Sequence, residues 1–113
     1  MIERIEPGAR LSRASVHNGV AYLCGVVAPA SPEIRAQTEG CLQEIDRLLG
    51  LAGSSKSKVL HVMVHVKDFE YDAVVNEVYD NWIDPGTPPS RTSVIAQPRR
   101  PEALVEMTVV AAV

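Results

Sequence analysis

Two charged residues stand where the surrounding sequence is otherwise built for burial. Arg91 lies in Ser-Arg-Thr-Ser-Val-Ile and Glu106 in Leu-Val-Glu-Met-Thr-Val-Val. A charge inside an apolar strand must be paired or held for a ligand. Alternation along the last strand sets Glu106 with Thr108, opposite Val105, Met107 and Val109, on the sheet face away from any covering helices. Arg91 shares a face with Ser93. If the two strands pair through the 97–102 turn, the charges are neighbours, and their residue types fit either a cross-strand salt bridge or a site for an anionic ligand.

Other reactive side chains point to less. His61 and His65 sit four residues apart on an extended strand, ~13 Å between α-carbons, too far to share one metal ion without a third element. His17 adjoins an Asn-Gly turn and reads as a solvated loop residue. Cys24 and Cys41 lack a CxxC spacing and read as buried thiols of a reducing compartment, which fits a cytoplasmic protein. There is no Gly-x-Ser-x-Gly elbow and no phosphate-cradling glycine loop, and Arg99-Arg100 between prolines reads as a solvated turn. The net charge of −3 offers little footing for a phosphate backbone, so nucleic acid is not an expected partner. The charged start and the short apolar runs give no expectation of a secretion signal, membrane insertion or membrane partner.

The elements that must position Arg91 and Glu106 follow from pattern. The 113 residues are those of one ordinary domain, 1–113, and the 16 valines among few aromatics favour strands. Ser12 to Gly25 reads as a β-hairpin turning at Asn18-Gly19. Ser31-Pro32 opens a helix over 32–52 whose apolar residues recur at helical spacing, and Gly53 ends it. Lys58 to Lys67 is a strand with Leu60, Val62, Val64 and Val66 on one face and Val59, His61, Met63 and His65 on the other. Asp68 caps a second helix with Tyr71, Val74, Val75, Val78, Tyr79 and Trp82 as its apolar stripe. Strands near 91–96 and 103–113 close the chain as a hairpin. This order predicts an α+β two-layer sandwich, a mixed β-sheet with both helices on one face. The uncovered face is too apolar for water, which predicts an oligomer.

Several segments in order then carry a resemblance: Tyr22-Leu-Cys-Gly25, Ala52-Gly53, Val66-Lys67-Asp68, Val75-Asn76-Glu77-Val78-Tyr79, Pro89-Ser90-Arg91-Thr92-Ser93-Val94 and Val105-Glu106-Met107. From residue 10 onward the chain resembles the reactive intermediate deaminases, the RidA or YjgF family. The resemblance implies a chorismate-mutase-like α+β fold, a homotrimer, and ligand clefts between adjacent subunits. It implies hydrolysis of reactive 2-imino and 2-enamino acids to 2-oxo acids and ammonia, without a cofactor. Arg91 matches the arginine that grips the substrate carboxylate, and Glu106 the glutamate that positions water. Gly25, Asn76 and Ser93 match other cleft positions. The chain departs from the pattern in three places. Ser93 replaces the family's cysteine, Arg10-Leu11-Ser12 replaces Gly-Pro-Tyr, and Cys24-Gly25-Val26 replaces Ser-Gly-Gln, so the pocket differs in side-chain preference. Noncatalytic binding of a carboxylate metabolite in the same cleft is the competing expectation. A ribonuclease, a label borne by some relatives, fits the charge and the missing basic-aromatic stripe less well.

Overall fold

The computed structural model describes residues 1–113. In chain order the elements are β1 (Glu3–Pro7), β2 (Ser12–His17), β3 (Val20–Leu23), α1 (Ile34–Leu51), β4 (Val59–Val66), α2 (Asp72–Trp82), β5 (Ser90–Ile95) and β6 (Val105–Ala112). The β2–β3 hairpin turns at Asn18 and Gly19, whose φ values of 51° and 77° are the pair of positive angles that a two-residue turn of the strands' own twist requires. β1 was not expected. It pairs with β2 as a short edge strand in which only Ile5 is buried, and its charges and Pro7 hide it from any strand pattern.

α1 begins two residues later than Ser31-Pro32 predicts. The Ser31 hydroxyl accepts from the Glu33 N–H at 3.1 Å, so it closes a turn before the helix instead of capping it. At the other end Gly53 adopts φ 80°, and the Ser54 N–H reaches back to the Leu49 carbonyl at 2.8 Å, the six-residue closure of a left-handed cap. Asp68 likewise caps a single 3-10 turn, Phe69–Tyr71, from which α2 continues.

All six strands form one sheet in the order β1-β2-β3-β6-β4-β5, with β4 and β5 parallel and the other pairs antiparallel. The architecture is the expected α+β sandwich, but its last two strands do not form a hairpin. β6 runs between β3 and β4, so β4 separates it from β5. α1 and α2 each carry the chain between parallel strands, and both lie over the same sheet face. Beneath them Val62, Val64, Val66, Val105, Met107, Val109 and Ala111 join Leu42, Ile45, Leu48, Leu49, Val75 and Val78 in one core. The β4 pattern needs one correction. A bulge between Val59 and His61 turns Val59 into the core and leaves Leu60 49% exposed, reversing the faces predicted for that pair.

One buried polar side chain fixes the layers to each other. Gln37 of α1 is fully buried; its amide N–H groups donate to the carbonyls of Ser31 at 2.9 Å and Glu102 at 3.1 Å, and its Oε1 accepts from the Leu104 N–H at 2.8 Å. The segment entering β6 is therefore held by α1, just before Glu106.

Candidate functional site

Arg91 lies on the edge strand β5 opposite Val62, a core residue, so its side chain leaves the sheet on the helix side and meets α2. Three groups hold it. Its Nη2–H donates to Asn76 Oδ1 at 2.5 Å and its Nε–H to Ser93 Oγ at 3.0 Å, and the guanidinium carbon stands 4.6 Å from the centre of the Tyr79 ring. Asn76 and Tyr79 are three apart on α2 and therefore neighbours on one face. The Asn76 amide also donates to Asp72 at 3.2 Å, which fixes the amide so that its oxygen faces the arginine. Burial pushes the Tyr79 phenol up, and the Arg91 charge works in the opposite direction. None of the three direct partners is an anion. The guanidinium is oriented and left unneutralised, and its Nη1 makes no hydrogen bond within the chain, so the fork keeps N–H donors for a carboxylate. Of the three direct partners only Tyr79 escaped the sequence reading, because its place in an apolar stripe at helical spacing is a core signal.

Glu106 leaves β6 on the opposite face. It is half-buried beside Thr108, and the ion pairs of the chain all lie elsewhere. A pair of backbone hydrogen bonds between Val26 and Met107, at 2.8 and 3.0 Å, draws the segment after β3 onto β6 and sets Gly25 under the glutamate. A Cβ at position 25 would stand 2.1 Å from Glu106 Oε2 and 3.1 Å from its carboxyl carbon. The carboxylate thus rests on bare backbone, and a side chain at position 25 could enter only by displacing it.

The structure gathers Arg91, Ser93 and Asn76 in one group and Glu106 and Gly25 in another, and it does not bring the two groups together within one chain. The expected adjacency of Arg91 and Glu106 fails because strand order and face both intervene. Arg91 is on the rung of Val62 and Glu106 on that of His65, roughly 10 Å apart along the strands, with two interstrand spacings, roughly another 10 Å, across. A cross-strand salt bridge is thereby excluded. Of the other reactive groups, His61 Nδ1 is 2.8 Å from Ser90 Oγ and His17 Nδ1 is 3.3 Å from the Met1 carbonyl at the surface. Cys41 is fully buried, donates to the Val26 carbonyl at 3.3 Å and has its thiol pushed up to about 12 by that burial; Cys24 is only half-buried. A groove of about 520 Å³ between α1 and α2, with Arg35, Asp46 and Trp82 in its wall, contains none of the five predicted site residues.

The comparisons agree with this architecture. A family model described as Endoribonuclease L-PSP matches residues 1–113. A RutC family protein of Haemophilus influenzae is 40% identical over 112 residues, covering 97% of each chain. The RutC family protein YoaB of Escherichia coli is 35% identical over 112 residues, covering 99% of this chain and 98% of its own. A crystal structure of a YjgF protein family member from Neisseria meningitidis superposes with a TM-score of 0.97 at 34% identity, covering 99% of this chain and 94% of that one. The fold and site thus define an α+β protein of the YjgF type. The chain belongs to the Endoribonuclease L-PSP family, in which relatives carry the RutC and YjgF names.

Proposed function

We propose that this protein hydrolyses reactive 2-imino and 2-enamino acids to 2-oxo acids and ammonia, in a cleft between adjacent subunits of a homotrimer. The observation that carries the reading is the oriented, unneutralised guanidinium of Arg91, a carboxylate receptor without a carboxylate of its own chain. The separation of Glu106 from Arg91 supports the intersubunit cleft, since one small acid can touch both only where the Arg91 edge of one chain meets the open face of another. In the proposed reaction Arg91 grips the substrate carboxylate, with Ser93 and Asn76 holding the guanidinium. The Glu106 carboxylate takes a proton from water as the water oxygen bonds to the iminium carbon. That proton passes to the carbinolamine nitrogen. The C–N bond then breaks and ammonia leaves with the bonding pair; Glu106 takes the hydroxyl proton as the carbonyl forms and passes it to the ammonia, so water and iminium have become 2-oxo acid and ammonium. The residues supply every proton transfer without a cofactor.

An amino-acid oxidase generates the imine, and semicarbazide traps what is not hydrolysed. Adding the protein should lower semicarbazone yield across a panel of amino acids, and Glu106→Gln should lose this effect by ~10²–10⁴ while still binding the 2-oxo acid. Binding of 2-oxo acid with no change in semicarbazone yield would replace hydrolysis by carboxylate binding alone. Cleavage of an RNA substrate that survives Glu106→Gln and Arg91→Ala would place the family's other named activity outside this site.

A further inference from the structure

Two polar residues of the open sheet face stand opposite each other on neighbouring strands. β4 and β6 pair with His65 directly opposite Glu106, so the side chains leave the same face at adjacent positions, with Cβ atoms roughly 5 Å apart. The His65 Nδ1 is buried and has no hydrogen-bond partner. A buried ring nitrogen in that state calls for a group that completes it. The neighbours of His65 narrow the choice. On β5 the residue opposite is Val94. On its own strand face His61 is engaged with Ser90, and Lys67 lies beyond the strand end. On β6 the next residue of this face is Thr108, and Arg91 leaves the other face altogether. His65 is the cross-strand neighbour of Glu106 on β4, and the carboxylate itself lies over the bare backbone of Gly25 beside the Thr108 hydroxyl, with no hydrogen bond to His65 Nδ1 within the single chain.

We propose that His65 is a positioning residue for Glu106, with a ring N–H that fixes one carboxylate oxygen, directly or through water, and leaves the other facing the reacting carbon. The proposal rests on the reading of Glu106 as the water-activating base. An imidazole suits the task because its neutral form carries one donor and one acceptor nitrogen. With its proton on the nitrogen that faces Glu106, it donates to the ionised carboxylate.

The chain has three histidines, so nitrogen-15 NMR of its labelled imidazoles is readable residue by residue. If His65 faces the carboxylate, Glu106→Gln should shift the His65 ring nitrogens at constant pH and leave His17 and His61 where they were. His65→Phe keeps the ring volume and removes both nitrogens. It should fold and assemble normally and bind 2-oxo acids with unchanged affinity, while kcat for imine hydrolysis falls roughly tenfold to a hundredfold, the scale of losing an orienting partner. His65→Gln, which retains a donor and an acceptor, should recover part of that loss. Ring shifts that ignore Glu106→Gln would overturn the pairing whatever the kinetics. Coupled shifts with full turnover in His65→Phe would overturn the positioning role. A wild-type protein without imine hydrolysis would sink the proposed function, and the ring shifts would still decide whether the pair exists.

Discussion

Arg91 is held by an amide, a hydroxyl and a phenol ring. An ammonium has donors for the amide and the hydroxyl but no plane to stack on the ring and no fork to offer a carboxylate. Arg91→Ala should weaken 2-oxo acid binding by roughly 10- to 150-fold, the value of charge-assisted hydrogen bonds of ~1.5–3 kcal/mol, and Arg91→Lys should recover only part of it in a calorimetric titration. Equal affinity for the Lys variant and wild type would show that charge alone is read. Gly25 gives a sharper test at Glu106. The atom that an added methyl would meet is the far end of a flexible side chain, so the fold can yield by swinging the carboxylate aside. Gly25→Ala should therefore leave the thermal midpoint and 2-oxo acid affinity unchanged and lower kcat by about a hundredfold, the loss expected for a displacement near 1 Å. Normal turnover would mean that the reacting carbon does not meet Glu106 in this pose.

Among the elements, α1 does the most to hold β6 in place. Gln37→Leu would keep the volume and strand the Ser31 and Glu102 carbonyls and the Leu104 N–H inside the protein. A loss of about 2–4 kcal/mol should follow, read as a lower urea midpoint with an unchanged slope; a loss under about 0.5 kcal/mol would show that water replaces the amide. The outer side of α1 is tied to β1 and β2 by Arg47 against Glu44 and Glu6, and by Arg13 against Glu44 at 2.7 Å. These guanidinium groups, Arg47 first, hold the Glu44 carboxyl down at about 2 from its ordinary 4.5. The unfolded chain takes up this proton first as pH falls, so the stabilisation is present above pH 4.5 and is lost between there and pH 2. Because the pairs are solvated, the effect is about 1 kcal/mol at most. Urea midpoints at pH 6 and pH 3 should differ less in Glu44→Gln than in wild type, and an equal fall in both would remove the network from the acid response. How far such elements were legible depends on the range of their cause. The Asn18-Gly19 turn, Gly53, the helix stripes and the strand alternation are set by residues within a turn or two of one another. β1, the Gln37 clasp and the insertion of β6 beside β4 depend on partners distant in sequence, which no local pattern encodes. The same holds for the site. Charges in apolar strands exposed Arg91 and Glu106 singly, but their faces and separation follow from strand order.

At the scale of the molecule, the open face of the sheet presents Tyr22, Met63, Val94 and Val110 around Glu106 and the two strand histidines. Tyr22 is 52% and Val94 37% exposed in the single chain, an apolar area suited to burial between subunits. Met63→Asp would place an unpaired carboxylate there and should shift the light-scattering mass of the proposed trimer toward the 12.3 kDa monomer. A monodisperse monomer of the unaltered protein would reject the trimer. The place of β6 has a further consequence, for the order in which the sheet can be completed. Its eight residues, Val105–Ala112, are the last strand in chain order, yet they join β3 to β4 and lie near the centre of the sheet. Until they are in place, β1-β2-β3 and β4-β5 have no common ladder. The half-sheets must wait with their inner edges unpaired for the final strand to enter between them. Loss of Val105–Ala112 would therefore divide the sheet, whereas loss of Glu3–Pro7 would remove only an edge strand.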